Sequence, residues 1–237
     1  MTSKWELAQT LEPGHWLANK EAILSNAYRD NIRERSRILQ SELSGFISLD
    51  NPELNLLELG GGATQLVEFF PKCCKYMIEP LADLYLKEFG DVIDEKEVTW
   101  IKGKAEKIEF PDDYFDIVIA RNVLDHVDNI SAVLSDIKRV LKPGGIAYLG
   151  TNVFSGLLYL TRKIVKDKEH PYIFTHRSMQ TLIDTADFQV LKVVRDDPPQ
   201  MKHFNELEST ALFSRLARTA FLKMNCYHFS EFYVAKA

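Results

Sequence analysis

Three consecutive glycines and one acidic residue carry the strongest chemical signal in this sequence. Gly60, Gly61 and Gly62 directly follow the apolar run at residues 56–59. Glycine allows sharp turns, and a backbone without Cβ atoms lets a ligand approach closely. Glu79 ends the next apolar run, about 20 positions further along the chain. A glycine-rich turn and an acid at that spacing are typical of nucleotide-binding α/β proteins.

The chemistry expected of these residues is the binding of a nucleoside. An ionised carboxylate only accepts hydrogen bonds, so Glu79 suits the two adjacent hydroxyls of a ribose. A helix opening after the glycines would present free N–H groups and a positive dipole end to the ligand. The alternative is a tight turn followed by a surface glutamate, which the combined loop, acid and spacing disfavour. A nicotinamide cofactor is also disfavoured, because its G-x-G-x-x-G pattern requires glycine where Gln65 stands.

Short apolar runs alternate with helical stretches from residue 54 onward, and these elements must position the glycines and the acid. The patterns predict strands over residues 55–59, 75–78, 98–101, 115–120, 146–150, 189–194 and 227–235. They predict helices over residues 64–70, 81–89, 130–141, 177–186 and 210–223. This alternation predicts an α/β fold with a mostly parallel, seven-stranded sheet and helices on both faces.

The pattern of apolar, charged and chain-breaking residues divides the chain into two parts. Residues 1–50 form a helical N-terminal cap, because a rough helical stripe of apolar residues lies there beside an Arg- and Glu-rich face. Residues 51–237 form one ligand-binding domain, which begins at the chain-breaking Asn51-Pro52. Residues at about 152–176 do not fit the strand–helix repeat and are predicted to be an insertion over the pocket.

Composition and charge limit the classes of protein to which the chain can belong. Its 237 residues carry a formal net charge of −5, which argues against a broad basic face for nucleic acid. The three cysteines show neither a disulfide framework nor zinc-ligand spacing, so no metal site is expected. No apolar run is long enough to span a bilayer, and the first residues lack the apolar core of a signal peptide. We therefore expect a cytoplasmic protein without a membrane partner.

Four segments in order resemble the class I methyltransferases that use S-adenosylmethionine (SAM), in particular their type 11-like members. They are the glycine motif at residues 57–62, the ribose segment at 78–80, the adenine-side loop at 103–116, and residues 121–127 followed by 141–145. The resemblance covers roughly residues 54–151. It implies a Rossmann-like fold, SAM as cofactor and methyl transfer as the activity.

The resemblance also implies which residues hold the cofactor. On the methionine side, Glu58 lies near the amino group, and the remaining implied contacts are Gly60, Gly61, Gly62, Ala63, Arg121 and Asn122. On the adenosine side, Glu79 holds the ribose, and the other implied contacts are Pro80, Leu81, Ala105 and Ile108.

Two positions depart from the family pattern. Lys104 stands where family members often carry an aspartate, and lysine cannot accept a hydrogen bond from the adenine amino group. Glu106 is the candidate substitute. Thr64 replaces the last frequent glycine of the motif, and its hydroxyl is expected to cap the following helix.

Methyl transfer requires the protein mainly to hold acceptor and methyl group in line, with a base only where the acceptor must lose a proton. His126 is the candidate base, although a packing or capping role is the favoured alternative. Asp125 is expected to begin a helix. His170 and His176 either contact substrate or belong to an ordinary loop, and the sequence favours neither.

The predicted cap carries aromatic and basic side chains. Trp5, His15, Trp16 and Tyr28 either cover the cofactor or pack against the sheet edge, and the second is slightly favoured. The cap arginines are interleaved with acids, which favours a solvated helix face over contact with an anionic substrate or the cofactor carboxylate. They are Arg29, Arg33, Arg35 and Arg37.

The function predicted from the sequence is SAM-dependent methyl transfer to an oxygen or nitrogen of a small molecule. Two alternatives stay open. One is a SAM-binding protein without transfer activity, and the other is a methyltransferase that acts on protein or RNA. The acidic net charge disfavours RNA.

Overall fold

Seven β-strands form one sheet in the computed structural model, which describes residues 4–93, 97–154, 171–196 and 227–236. The strands are β1 (Asn55–Leu59), β2 (Cys74–Glu79), β3 (Thr99–Lys102), β4 (Phe115–Arg121), β5 (Leu141–Phe154), β6 (Phe188–Asp196) and β7 (Tyr227–Lys236). Their spatial order is β3-β2-β1-β4-β5-β7-β6. The predicted α/β class and strand number are confirmed.

The sheet is mixed, because β7 runs antiparallel to both of its neighbours, β5 and β6. The other strand pairs, from β3 across to β5, are parallel. Strands β1 and β4 are adjacent although two strands lie between them in the chain. The carboxyl ends of β1, β2 and β4 therefore lie at one edge of the sheet. The strand order reverses between β1 and β4, and ligands of open α/β sheets bind at such a reversal, beyond the carboxyl ends of the strands.

Helices cover both faces of the sheet. They are α1 (Lys4–Ala18), α2 (Lys20–Ile23), α3 (Asn26–Leu43), α4 (Ala82–Phe89), α5 (Ile130–Val140) and α6 (His176–Thr185). Val133 of α5 and Met179 of α6 share one core with Leu57 of β1. Leu39 of α3 shares the opposite core with Leu56, the neighbouring residue of the same strand. Successive side chains of β1 point to opposite faces of the sheet and therefore contribute to both cores. No helix in the described ranges has the length and hydropathy needed to cross a membrane.

The prediction of a helix over residues 64–70 is wrong, since the described backbone there contains only a 3-10 turn at Val67–Phe69. The N–H groups of Leu66 and Val67 donate to the buried Glu58 carboxylate at 2.7 and 2.8 Å. Pro71 follows directly and cannot extend a helix. The carboxylate and the proline together hold the segment in a short turn.

Helix α3 supplies the remaining hydrogen bonds of this turn. The fully buried Ser36 hydroxyl donates to the Leu66 carbonyl oxygen at 2.8 Å. The Gln40 amide donates to the Phe69 carbonyl oxygen at 3.0 Å. Polar side chains of α3 therefore satisfy backbone groups that an α-helix would have paired internally. The turn after the glycines and the N-terminal helix depend on each other.

Strand β5 extends beyond the predicted residues 146–150 at both ends. At its start, pairing with β4 shifts between Phe115↔Leu141 and Ile117↔Ile146, so residues 142–145 form a bulge within the strand. At its end, Val153 pairs with Phe174, so residues 152–154 of the predicted insertion belong to β5. The predicted helix 210–223 and His170 lie outside the described residues.

Replacement of Ser36 by alanine tests the link between α3 and the 3-10 turn. We expect Ser36→Ala to lower the free energy of unfolding by about 1–2 kcal/mol, because it leaves the Leu66 carbonyl oxygen buried without its donor. Urea denaturation measures this. Ser41→Ala, on the exposed side of the same helix, is the matched control and should change stability by less than about 0.5 kcal/mol. Equal effects of the two variants would contradict the role of Ser36.

Candidate functional site

A cavity of about 620 Å³ opens at the carboxyl ends of β1, β2 and β4. That volume lies within the range of small-molecule sites. Its walls come from the glycine loop, the end of β2, the Ala105–Glu106 segment and the residues that follow β4. Helices α1 and α3 supply the opposite wall. The cavity thus lies between the sheet edge and the N-terminal helices.

Glu79 lies at the centre of the wall and is almost fully buried. Its Oε1 accepts a hydrogen bond from the Leu81 N–H at 3.0 Å, and its Oε2 accepts one from the Gly62 N–H at 3.2 Å. Burial and, to a smaller extent, the nearby Glu12 carboxylate raise the pKa of Glu79, whereas the two backbone hydrogen bonds lower it. The net result is a pKa of about 7. The backbone therefore fixes the position of the carboxyl group. Further hydrogen-bond donors that enter the cavity would lower its pKa.

Glu58 presents a second carboxyl group to the cavity from within β1. Its Oε2 accepts the two N–H groups of the 3-10 turn, and burial raises its pKa to about 7. Within the described ranges its Oε1 accepts no hydrogen bond. That atom lies beside Gly61, 3.0 Å from the place that a Cβ would occupy. One oxygen organises the loop and the other is open to a ligand.

The glycine loop is packed against the protein's own side chains. Gly60 and Gly62 have φ angles of 60° and 56°, which favour glycine. A Cβ on Gly60 would lie 2.9 Å from Val123, and one on Gly62 would lie 2.6 Å from Trp16. The missing Cβ atoms are therefore needed for close internal packing. Trp16 also contacts the rings of Tyr85 and Phe89 edge-on, with centroid distances of 5.3 and 6.3 Å.

Asn122 forms the corner where the chain leaves β4. Its φ of 54° is unusual for a residue with a side chain, and its backbone N–H donates to the Gly150 carbonyl oxygen at 2.8 Å. Its Oδ1 is buried and accepts no hydrogen bond in the described part of the chain. Strained backbone and an unsatisfied buried acceptor in a cavity wall are features of ligand sites.

The structure brings most of the predicted site residues to one wall and leaves four away from it. Those that line the cavity are Glu58, Gly60, Gly61, Glu79, Pro80, Ala105, Glu106, Arg121, Asn122 and His126. Gly62 lies beneath Trp16, and Ala63 and Leu81 pack against the cluster around Tyr85 and Phe89. Ile108 is buried in the core under α5.

Two acids near the adenine-side loop make contacts that the sequence analysis did not predict. One carboxylate oxygen of Glu106 accepts the N–H groups of Asp128 and Asn129 at 2.6 and 3.4 Å, which stabilises the turn before α5. The N-cap of α5 is Asn129, so the prediction that Asp125 begins a helix is wrong. Asp125 is buried, and its Oδ1 has no hydrogen-bond partner in the described residues.

Of the two described histidines considered for substrate contact or proton removal, one lines the cavity and the other packs against the sheet. His126 lines the cavity. His176 begins α6, where its ring stacks on Phe232 with a centroid distance of 5.2 Å and its Nδ1 lies 3.4 Å from the Ser230 hydroxyl. Burial and the Arg195 charge lower the pKa of His176. Thr175 is the N-cap of α6, and its side chain accepts a hydrogen bond from the Ser178 N–H.

The N-terminal helices contribute wall residues that the sequence analysis did not select, among them Glu12, Asn31 and Ile32. His15, Trp16 and Tyr28 line the same cavity, while the Trp5 side chain lies outside the described residues. Arg35 is the cavity residue among the four predicted cap arginines. The sequence signal that could have identified Arg35 is its spacing, because residues 28, 32, 35 and 39 fall on one face of a helix.

Gly62→Ala and Gly144→Ala separate backbone strain from contact with Trp16. Both glycines have positive φ, but a Cβ on Gly144 meets nothing within 4 Å. We expect Gly62→Ala to cost about 1–3 kcal/mol more than Gly144→Ala in urea denaturation, because Trp16 must move. In a Trp16→Ala background this excess should disappear. An excess that persists there would exclude Trp16 as its cause.

Comparisons with known proteins agree with this geometry. Residues 57–149 match the family model described as a methyltransferase domain. The uncharacterized protein YafE of Escherichia coli (strain K12) is 30% identical over 109 residues, which cover 44% of this chain and 53% of YafE. The ubiquinone/menaquinone biosynthesis C-methyltransferase UbiE of Shewanella pealeana is 27% identical over 139 residues, covering 55% of this chain and 54% of UbiE. The chain thus spans about half the length of the curated relatives it matches.

A solved structure extends the similarity over most of the fold. The geranyl diphosphate C-methyltransferase of Streptomyces coelicolor A3(2), crystallised with Mg²⁺, geranyl diphosphate and S-adenosyl-L-homocysteine (SAH), aligns with a TM-score of 0.66. The alignment covers 90% of this chain and 85% of that one at 13% identity, so it speaks for the fold alone. Residues 57–149 thus resemble a methyltransferase domain, and the chain shares the fold of this solved methyltransferase.

Proposed function

We propose that the cavity binds SAM and that the protein transfers its methyl group to an oxygen or nitrogen of a small molecule. One observation carries the cofactor assignment. The Glu79 carboxyl group is held by the Gly62 and Leu81 N–H groups at the cavity wall, beside the glycine loop. Each of its oxygens retains a lone pair that can accept a ribose hydroxyl.

The residues present fit the other polar groups of SAM. The free Oε1 of Glu58 and the unsatisfied Oδ1 of Asn122 are acceptors, as an ammonium group requires. The Arg121 guanidinium, at the end of β4, is the donor that a carboxylate requires. Pro80, Ala105 and Val127 provide apolar wall near Glu79 for the adenine. The predicted adenine contact by Glu106 remains a proposal for its second oxygen.

SAM supplies a methyl group already activated on a sulfonium, so the chain's own contribution is placement. The acceptor must enter between the β4 corner and the N-terminal helices, because those elements enclose the cavity. His126 lies on that wall, and we propose that it removes a proton where the acceptor carries one. Helices α1 and α3 would exclude bulk water from the reacting atoms.

The acceptor is proposed to be small because α1 and α3 close the cavity on the side opposite the sheet edge. The formal charge of −5 disfavours RNA. A carbon acceptor is the alternative to oxygen or nitrogen, since two of the three relatives named above, UbiE and the geranyl diphosphate enzyme, are called C-methyltransferases. Binding of cofactor without turnover of any acceptor would favour the alternative of a SAM-binding protein without transfer activity.

Calorimetric titration with SAH tests the cofactor proposal. We expect wild-type protein to bind SAH, and Glu79→Ala to weaken binding about 10–100-fold, because hydrogen bonds to a charged group contribute about 1.5–3 kcal/mol. Asp83→Ala is the matched control, since this exposed acid on α4 pairs with Lys102 and not with the cavity. Unchanged affinity in folded Glu79→Ala would remove Glu79 from the ribose role.

The pH dependence of SAH binding provides a second test. The pKa values of Glu58 and Glu79 are both raised to about 7, so both groups are largely protonated below that pH in the free protein. Ribose hydroxyls and an ammonium group favour the ionised forms, so binding releases protons. We expect SAH affinity to rise between pH 6 and 8, by at most about tenfold per pH unit for each proton released.

Titrations in buffers of different ionisation enthalpy count the released protons. Glu79→Gln should release fewer protons and show a flatter pH profile than wild type. Affinity that falls as pH rises, or that does not change, would contradict the proposed contacts.

A further inference from the structure

The cavity contains two arginine side chains that no ion pair neutralises within the described protein. Arg35 and Arg121 both line the cavity. Within the described ranges, neither guanidinium forms an ion pair or a side-chain hydrogen bond. Half-buried charge without a partner is unfavourable, so such a pair indicates a place for an anion.

Arg35 differs in this respect from the other arginines of α3. Arg29 pairs with Glu68 and the Val92 carbonyl oxygen. Arg33 and Arg37 pair with Asp30 and Glu34 at 2.5 and 2.8 Å, one turn away on the exposed face. Arg35 lies instead on the face that packs toward the sheet, between Ile32 and Leu39.

The two cavity arginines act on the same surroundings. Both charges lower the pKa of Tyr28, which burial raises, and both interact with Tyr148. Burial lowers the pKa of Arg35, and the Arg121 charge lowers it further. The two guanidinium groups therefore share one electrostatic environment across the cavity, with α3 on one side and the end of β4 on the other.

The acids differ in how they relate to the two arginines. Glu58 accepts two backbone N–H groups through one oxygen, and the Arg121 charge lowers its pKa, which burial raises. Glu231 accepts the hydroxyls of Tyr148 and Tyr233 at 2.8 and 3.3 Å. The remaining cavity acids are Glu12, Glu79 and Glu106. None of these acids forms an ion pair with Arg35 in the described part of the chain.

The geometry of Arg121 leaves its donors available. Its guanidinium carbon lies 4.6 Å from the centroid of the Phe229 ring, over the ring face. Stacking of this kind holds the plane of the guanidinium and leaves the N–H groups at its edge free for a carboxylate or phosphate. The polar residues Asn31, Asn122 and Asn152 also line the cavity and offer further contacts.

We propose that Arg35 binds an anionic group of the methyl acceptor, a carboxylate or a phosphate, while Arg121 binds the cofactor carboxylate. The assignment rests on the proposed function. Arg121 follows the strand that borders the cofactor motifs, whereas Arg35 comes from α3, outside the segment that matches the methyltransferase model. The substrate class is therefore a small acid with its anion directed toward α3 and its acceptor atom toward the β4 corner.

Binding of inorganic pyrophosphate and of malonate to the SAH complex tests the proposal, with SAH affinity measured in parallel. The change in Tm with anion concentration at constant ionic strength, and ³¹P line broadening for pyrophosphate, report binding. We expect Arg35→Gln to weaken binding of at least one anion tenfold or more and to change SAH affinity less than about threefold. Arg35→Lys should bind the anion with intermediate affinity, because an ammonium lacks the planar fork.

Arg37→Gln is the matched control, since it removes the same charge from the exposed face of the same helix. It should leave anion binding within about twofold of wild type. Equal losses in Arg35→Gln and Arg37→Gln, or no anion binding by wild type, would overturn the proposal. Loss of SAH affinity in Arg35→Gln would also overturn it, by assigning Arg35 to the cofactor carboxylate. Anion binding through Arg35 in a protein that does not bind SAH would overturn the proposed function instead, and with it the acceptor role.

Discussion

The parallel pairing of β1 and β2 positions the candidate site. Leu59 lies opposite Ile78, and the hydrogen bonding continues one residue further, from the Gly60 N–H to the Ile78 carbonyl oxygen at 2.9 Å. This register brings the glycine loop and the Glu79 carboxyl group to the same edge, so that Gly62 donates to Glu79. A shift of one residue would turn Glu79 to the other face of the sheet.

Two buried carboxyl groups organise the loops around that edge. Glu58 replaces the helical hydrogen bonds of the segment after the glycines, and Glu79 holds the start of the segment after β2. Burial makes ionisation of both groups costly, which their raised pKa values express. A hydrogen bond from a ligand to either carboxyl group is therefore stronger than the same bond to an exposed acid. Arg35 and Arg121 add two positive charges to the lining of the same cavity.

The N-terminal helices complete the cavity and stabilise its floor. Ser36 and Gln40 bind the carbonyl groups of the 3-10 turn, while Trp16 lies on Gly62 and against α4. The same helices carry Tyr28 and Arg35 into the wall. Because one packing arrangement fixes both the glycine loop and these side chains, a change in how α3 packs, unlike the replacement of one cavity side chain, affects both parts of the cavity together.

The sequence by itself determined the strand pattern, the glycine turn, the acid at the end of β2 and the resemblance to methyltransferases. These signals are local, since a period of two, a run of glycines and a short motif are each contained in a few neighbouring residues. Tertiary structure decided that residues 64–70 form a 3-10 turn, because Glu58 and α3 satisfy its backbone groups. It also decided that β7 runs antiparallel and that Arg35, alone among four similar arginines on α3, faces the cavity. Which face of a charged helix is buried depends on contacts between segments far apart in the chain, and no local pattern contains them.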